Sequence, residues 1–600
     1  MADIEQLITT AMDGGSADHA GAIIGQLDIW SSAIKAKAGV GRGSSKKKEL
    51  YGIKKLRELI LELAVRGLLV PQDPNDEPAS ELLKKIAVEK QQLIKDKKIK
   101  KQKPLPLISD EDMAFKQPRG WKWARLGEVG LVASSSRVHK RDWQDNGIPF
   151  FRAREIVKLS QHGRVENELF ISAELFHKLT EKGVIPELGD VMITGVGTIG
   201  VPYTVKESES FYFKDASVLI FKNYFNLYPP YLTLFMKSPC WNKSIHEGSM
   251  GTTVHTLTIS RANIVSVPIP PLAEQHRIVA KVDELMALCD QLEQQTETSL
   301  TAHQTLVETV LAALTRPTAP NGGSKKSTAL QTAGSSAKPA TLSPEAILFE
   351  HFDTLFTTQH SIDQLKQTIL KLAVMGKLAP QNPNDEPASE LLKKIAAEKE
   401  QLIKDKKIKK QKPLPPISDE EKPFELPVGW EWCRLSEVIQ ISSGGGLTSV
   451  NMNKEGGVPV YGGNGVTGFH DVGNIDHETL VIGRVGFYCG SIHITPNIAW
   501  VTDNAFITKF SEKNIDLNYL AWLLKGTDLK ENQNATAQPV ISGRKIYPII
   551  VAIPPQVEQI RIVDRIDSLY QLCDQLKAHL NDAQTTQLHL ADALAGQAIP

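Results

Sequence analysis

The chain is predicted to be an α+β protein: two α/β bodies held by long antiparallel coiled-coil helices, with a pseudo-twofold internal repeat. Three observations carry this. Residues 71–106, PQDPNDEPASELLKKIAVEKQQLIKDKKIKKQKPLP, return at 380–415 as PQNPNDEPASELLKKIAAEKEQLIKDKKIKKQKPLP, an offset of 309 with three differences in 36 positions. IPPLAEQHRIVAKVDELMALCDQL at 269–292 returns at 553–576 as IPPQVEQIRIVDRIDSLYQLCDQL, an offset of 284. Between these repeats the pattern changes to short β-branched and aromatic runs punctuated by Gly and Pro, which is the pattern of strands.

A short helical segment near Ala20–Lys37 and a Gly/Ser/Lys loop at 39–48 precede the first frame copy. The repeat then extends upstream of residue 71, where LRELILELAVRGLL from Leu56 meets LKQTILKLAVMGKL from Leu365. Stretches 84–103 and 393–412 carry nine lysines each. They offer either a phosphate-tracking surface or a solvated helix whose lysine stems cover its own apolar side, with Ile86, Leu93 and Ile94 at helical spacing. The ends KPLPLISD and KPLPPISD are expected to stop those helices before each insert.

The offsets differ because the inserts differ in length: Trp121 to Ile269 is 148 positions, Trp430 to Ile553 is 123. The two inserts show no clear likeness to each other in sequence. Runs such as GDVMITGVGTIGVPYTV and TLVIGRVGFYCGSIHI read as twisted sheet, while YPPYLTLFMKS and LNYLAWLLKG read as helices. After Pro271 a helical pattern persists for more than forty residues, with Ile278, Val282, Leu285, Cys289, Leu292, Thr296, Ser299, His303, Leu306, Val310 and Ala313 in alternating steps of four and three. The second copy gives Ile562, Ile566, Leu569, Cys573, Leu576, Leu580, Ala583, Gln587, Leu590, Leu594 and Gln597. Such rods, roughly 60 Å long, need partners to bury the seam, and each is expected to supply the other's. The cysteines on the seam are expected to pack as small hydrophobes, and His303 and Gln587 to set register.

The resulting division is 1–117 for the N-terminal helical region and first frame repeat, 118–268 for the first insert and 269–315 for the central spacer helix. A flexible linker at 316–344, rich in Thr, Ala, Ser, Pro and Gly, is followed by the second helical frame at 345–426, the second insert at 427–552 and the C-terminal spacer helix at 553–600. Duplication without functional meaning is the plain alternative, but it does not explain why the similarity stops at the insert edges.

Composition narrows the class. Six hundred residues is about four domain sizes. Lys+Arg and Asp+Glu balance at 69 each, which argues against a chain that coats polyanions over its whole surface. The absence of long apolar runs and of a leader pattern places the protein in the cytoplasm as an expectation. The five cysteines are far apart and suggest neither a disulfide framework nor a thiolate zinc site.

Catalytic motifs are missing. Gly195-x-Gly197-x-x-Gly200 matches a dinucleotide fingerprint on paper, but VPYTV follows instead of a helix, so a tight β-turn is expected. Residues 39–46 fail as a phosphate loop, and no amino-methyltransferase, zinc-protease or nucleophile-elbow segment is found. The inserts do carry residues suited to reading nucleic acid. In the first, Arg137, His139, Lys140 and Arg141 lie beside Trp143, with Arg152 and Arg154 in FFRARE and Thr252, Thr253 and Arg261 in a hydroxyl-rich stretch. In the second, the candidates are Tyr461, Asn464, Arg484, Gln533, Asn534, Thr536, Gln538, Arg544 and Lys545.

The P-x-G-W-x-W-x-x-L-x-E-V segments (118–129 and 427–438), the GDVMITGVGTIG and PVYGGNG...VIGRVG runs and the I-P-P-x-x-E-Q-x-R-I-V segments (269–279 and 553–563) together resemble the DNA specificity subunit of type I restriction–modification enzymes, in its long form with enlarged repeats. The resemblance implies two target-recognition domains, each reading half of a bipartite asymmetric DNA site, on a coiled-coil spacer. It implies no catalysis and no cofactor in this chain. Two modification subunits that bind S-adenosylmethionine and methylate adenine, and two restriction subunits that use ATP and Mg, would complete a host-defence complex. A free-standing enzyme, and a coiled-coil scaffold or non-specific DNA-binding protein, are the rival readings.

Overall fold

The computed structural model describes residues 26–36, 48–181, 183–206, 210–225, 227–246, 256–316, 343–408, 410–486, 488–530 and 540–599. The chain divides into two compact units, Met1–Ser299 with Ala583–Pro600, and Leu300–Asp582.

In the first unit, helix α1 (Tyr51–Val65) buries Ile53, Leu56, Leu59, Ile60 and Leu63, the stripe that its 3.6-residue period creates. Helix α2 (Ala79–Lys95) starts immediately after Pro78. It does not run on to the proline-rich segment as the sequence suggested. Lys97 takes a left-handed conformation (φ 57°) and the Lys98 amide donates back to Leu93 at 2.9 Å, an αL cap that ends the helix before the last lysines.

Strand β1 (Lys122–Arg125) leads into the first insert, which contains β2 (Leu131–Ser134), β3 (Ile148–Phe151), β4 (Phe170–Ile171), β5 (Val191–Thr194), β6 (Pro202–Thr204), β7 (Tyr212–Phe213) and β8 (Val218–Lys222). Strand β9 (Ser266–Ile269) returns antiparallel to β1 with Arg125 opposite Ser266, so the insert hangs from the frame by a two-stranded root. Its main sheet has the order β2-β8-β5-β6, and a small mixed sheet has the order β4-β3-β7. Helix α3 (Leu272–Leu314) follows.

The second unit repeats this plan. Helix α4 (Gln359–Val374) and helix α5 (Ala388–Lys404) correspond to α1 and α2, although the helical run expected from Pro344 is broken into Pro344–Glu350, Phe352–Leu355 and α4. Strand β10 (Glu431–Arg434) is paired by a later strand at Ile550–Ile553. Between them lie β11 (Ile439–Ser443), β12 (Val458–Gly462), β13 (Gly465–His470), β14 (Leu480–Gly483), β15 (Ile492–Ile494), β16 (Trp500–Val501) and β17 (Ala505–Phe510). The main sheet is β11-β17-β14-β15 and the small sheet β13-β12-β16, again one antiparallel and one parallel pair. The two inserts, unlike in sequence, therefore share one topology. Helix α6 (Gln556–Gln597) follows the second root as α3 follows the first.

The long helices show where the heptad reading holds and where it slips. Ile278, Val282, Leu285, Cys289 and Leu292 are buried in α3; in α6, Ile562, Ile566 and Cys573 are buried and Leu569 and Leu576 are half-buried. Beyond that point every second expected residue faces water, Ser299 and Ala583 being exposed and Leu306 and Leu590 51% and 43% exposed, whereas the expected His303, Val310, Gln587 and Leu594 keep to the buried or half-buried side. The buried phase continues instead through Leu300, His303, Val307, Val310 and Leu314, and through Gln584, Gln587, Ala591 and Leu594. Each seam takes two successive steps of four, 292–296–300 and 576–580–584, and thereafter alternate positions lie one residue later while 303, 310, 587 and 594 keep the expected place. A 3.5-residue repeat drifts against a 3.6-residue helix, and an inserted four-step resets the phase. In both helices the step falls at the boundary between units.

The seams do not rely on each other alone. Within the first unit α1 reaches α3 through Arg57 Nη2 to Asp290 Oδ1 at 2.8 Å, and α6 through Tyr51 Oη donating to Asp592 at 2.7 Å. Within the second, α4 holds α6 through Lys577–Asp363 at 2.7 Å, and His303 Nε2 donates to the Thr354 carbonyl at 2.8 Å. All five cysteines are buried and unbridged, and burial pushes the Cys289 thiol up to about 12. No described helix is long and apolar enough to cross a membrane.

Candidate nucleic-acid interface

Register defines the free end of each head. In the first, Ser134 pairs with Leu219 and Thr194 with Val218, while Leu131 and Val191 lie at the other end beside Lys222 and Phe221, next to the root. The segments leaving Ser134 and Thr194 therefore emerge at the end away from the frame. The run after Thr194 is a hairpin turn between β5 and β6, so Gly195, Gly197 and Gly200 serve a bend and not a dinucleotide. Gly200 is indispensable there: its φ is +80°, a Cβ would lie 2.2 Å from Ile245 Cδ1, and its carbonyl accepts from Trp241 Nε1 at 2.9 Å.

The first loop after β2 is pinned by buried Val138, by Ser135 Oγ donating to the Phe213 carbonyl at 2.7 Å and by Ser136 N donating to Tyr212 Oη at 2.9 Å. From it Arg137, Lys140 and Arg141 point into solvent. Arg152 and Arg154 are differently placed. Both bind buried Glu155, Arg152 at 2.8 Å, and Arg154 also binds Glu168. Burial pushes Glu155 up, but the two guanidinium groups outweigh it and hold the carboxyl below its usual range. Arg261 donates to the carbonyls of Thr256 at 3.0 Å and Ile245 at 2.8 Å, on either side of 247–255. Thr252 and Thr253 lie outside the described residues.

The second head gathers its residues at the corresponding end. Leu257 N donates to the Gly195 carbonyl in the first head, and Ile541 N to the Arg484 carbonyl in the second, both at 2.9 Å. Arg484 thus occupies the position of Gly195, and Val540 that of Thr256, in the bridges Val196–Thr256 and Val485–Val540. The Arg484 guanidinium lies over the Phe506 ring at 5.3 Å and its Nη1 donates to the Asp503 carbonyl at 3.4 Å. The β12–β13 turn closes in on this strand end: a Cβ on Gly483 would lie 2.2 Å from the Gly463 carbonyl, which accepts from Ser491 Oγ at 2.9 Å. This brings Tyr461, beside the His493 ring at 6.3 Å, and exposed Asn464 to the Arg484 end. Burial, then the charge of Lys525, hold His493 below the ordinary histidine range. Arg544 is exposed and Lys545 half-buried on the short helix after Ile541. Gln533, Asn534, Thr536 and Gln538 lie outside the described residues.

Sequence reasoning missed the groups that fix each head to its frame. Arg125, 4% exposed, donates to the carbonyls of Pro106, Leu107 and Ile264 and to Asp112 at 2.8 Å. Arg434 repeats this with Pro415, Pro548 and Glu421. Lys90 Nζ donates to the Gly127 carbonyl at 2.6 Å, and Lys399 to that of Ser436. Their signal was present, since each stands at the same place in both frame copies.

Two heads of one topology, each hung from a copy of one frame and differing at their free ends, define a bipartite recognition protein. The family described as "Type I restriction modification DNA specificity domain" matches residues 118–302 and 427–583. The chain is 38% identical over 633 residues to the type I restriction enzyme EcoAI specificity subunit of Escherichia coli, covering 96% of this chain and 99% of that protein. Against the EcoEI specificity subunit of Escherichia coli the identity is 38% over 625 residues, with the same two coverages. The chain belongs to the type I restriction–modification DNA specificity family, as the non-catalytic subunit that recognises DNA sequence.

Proposed function

We propose that this subunit reads a bipartite asymmetric site, with the head at 118–268 on one half and the head at 427–552 on the other, across a gap of unspecified sequence. The observation that carries this is the matched topology with unmatched free ends: Gly195 stands where Arg484 does. Equivalent bodies dock in equivalent ways, and different side chains then select different bases. Arg137, Lys140 and Arg141 in the first head, and Tyr461, Asn464, Arg484 and Arg544 in the second, are the described groups best placed to meet DNA. Arg261, its guanidinium held by the carbonyls of Thr256 and Ile245, acts as a positioning residue, and Lys545 stands at the matching place in the second head. Arg152 and Arg154 brace Glu155 and Glu168.

Each frame copy offers one docking surface, so two modification subunits join the chain, followed by two restriction subunits. S-adenosylmethionine, ATP and Mg belong to those partners, and the complex works in the cytoplasm. The test replaces residues 121–268 with the corresponding head of another family member and maps methylated adenines in host DNA. One half-site should change. A change in both halves overturns the modular reading, and an unchanged map overturns the assignment of the head.

A further inference from the structure

The frame carries a charged surface that base recognition leaves unused. Lys95, Lys97, Lys98, Lys100, Lys101 and Lys103 are all exposed, and among the described residues none of them is ion-paired. They are not on a loose tail. The αL residue Lys97 turns the chain, Ile99 is buried at 8% exposure, and Gln102 accepts from Lys90 Nζ at 3.0 Å, so anchors alternate with outward lysines. The second copy reproduces the device: Lys406 has φ 59°, Gln411 accepts from Lys399 at 3.3 Å, and Lys404, Lys406, Lys407, Lys410 and Lys412 are exposed. Lys90 and Lys399 also hold the first residues of each insert, which ties each lysine turn to its own head.

A helix dipole accounts for cations only within the last turn. Lys100, Lys101 and Lys103 lie beyond it. The residue type then separates two kinds of partner. Arg's fork binds carboxylate and phosphate alike, but Lys is depleted where two proteins meet and is a common point-charge binder of phosphate. Six lysines and no arginine between 95 and 103 suit phosphates, which accept point charges at many positions.

We infer that each lysine turn tracks the phosphate backbone of the duplex alongside the half-site its head reads. This rests on the heads being DNA readers. The turns add affinity without sequence preference, at phosphates outside the bases the heads contact.

The test uses the full chain assembled with its modification subunits. Binding to a duplex carrying the mapped site and to one with both halves scrambled is measured across a salt series. Changing the six lysines of 95–103 to Gln should weaken both duplexes by the same factor. It should also flatten the slope of log K against log salt by about 0.9 for each phosphate left without its lysine, so about 3–5 in all. Six Lys→Arg changes should keep the slope. An unchanged slope in the Gln variant overturns the proposal, and so does loss of the modification subunits from the complex, which would assign the turn to an acidic protein surface. If the unaltered complex fails to prefer its own site, the reading of the heads falls, while the slope comparison still decides the lysines.

Discussion

Replacing Glu274 with Gln should remove most of the pH dependence of stability in the first unit between pH 4.5 and 7. Glu274 lies in the first turn of α3 with 1% exposure. Its Oε1 has no hydrogen-bond partner, Trp121 Nε1 approaches it without closing a well-formed bond, and Arg277 is engaged by Asp76 at 2.6 Å. Burial pushes the carboxyl up to about 7, against smaller opposing effects of Trp121 and Arg277. A carboxyl moved that far from its unfolded value of about 4.5 carries about 3 kcal/mol between its two proton states. The sign follows from proton binding. Between pH 4.5 and 7 the folded chain holds a proton that the unfolded chain has lost, so the stabilisation is complete below 4.5 and disappears as pH rises through about 7. In urea unfolding of the full chain followed by tryptophan fluorescence, the wild type should lose about 3 kcal/mol more than Glu274→Gln between pH 4.5 and 8. Equal losses would refute the reasoning. Burial raises Glu558 in the second unit as well, so the double variant should be flatter still.

Arg125→Met should destabilise the first unit by about 2–3 kcal/mol, chiefly because it strands three backbone carbonyls; Asp112, which hydrogen bonds from Arg125 hold at about 2, is open enough to water to add little. A urea midpoint equivalent to less than about 1 kcal/mol would contradict this. Gly200→Ala forces a Cβ against Ile245 and Trp241 at φ +80° and should cost about 2–3 kcal/mol. In competition assays with one half-site scrambled at a time, discrimination by the first head should fall while that by the second is unchanged. Inserting four residues after Ser299 should change the gap length in the methylation map or abolish assembly. An unchanged gap would count against a spacer that sets distance.

The frame could be read from the chain because its information is local and repeated: the heptad positions 278–292 and the matched prolines are short-range patterns. Every second seam position beyond Thr296 could not. A four-three rhythm fits Leu306 and Leu590 as well as their neighbours, and only the change of packing partners at the unit boundary selects Val307 and Ala591. The likeness of the heads was hidden for another reason. Strands such as Val191–Thr194 and Leu480–Gly483 are buried throughout, so they keep apolar character without keeping residues, and the pairings that join them span long stretches of chain. For the sites, sequence identified residue types but not their occupancy. Arg137 and Arg152 look alike as cations in the sequence; Glu155 distinguishes them.

Each long helix starts in one unit and finishes in the other, so Ala591 and Leu594 complete a core begun by Leu56 and Ile278. During synthesis the first unit must wait, its seam partly uncovered, until the second unit and nearly all of α6 have left the ribosome. Damage to the chain is therefore not confined to the unit where it falls. A product that stops before residue 583 leaves the early-made unit without Ala591 and Leu594, so apolar surface that the complete chain covers stays open to aggregation.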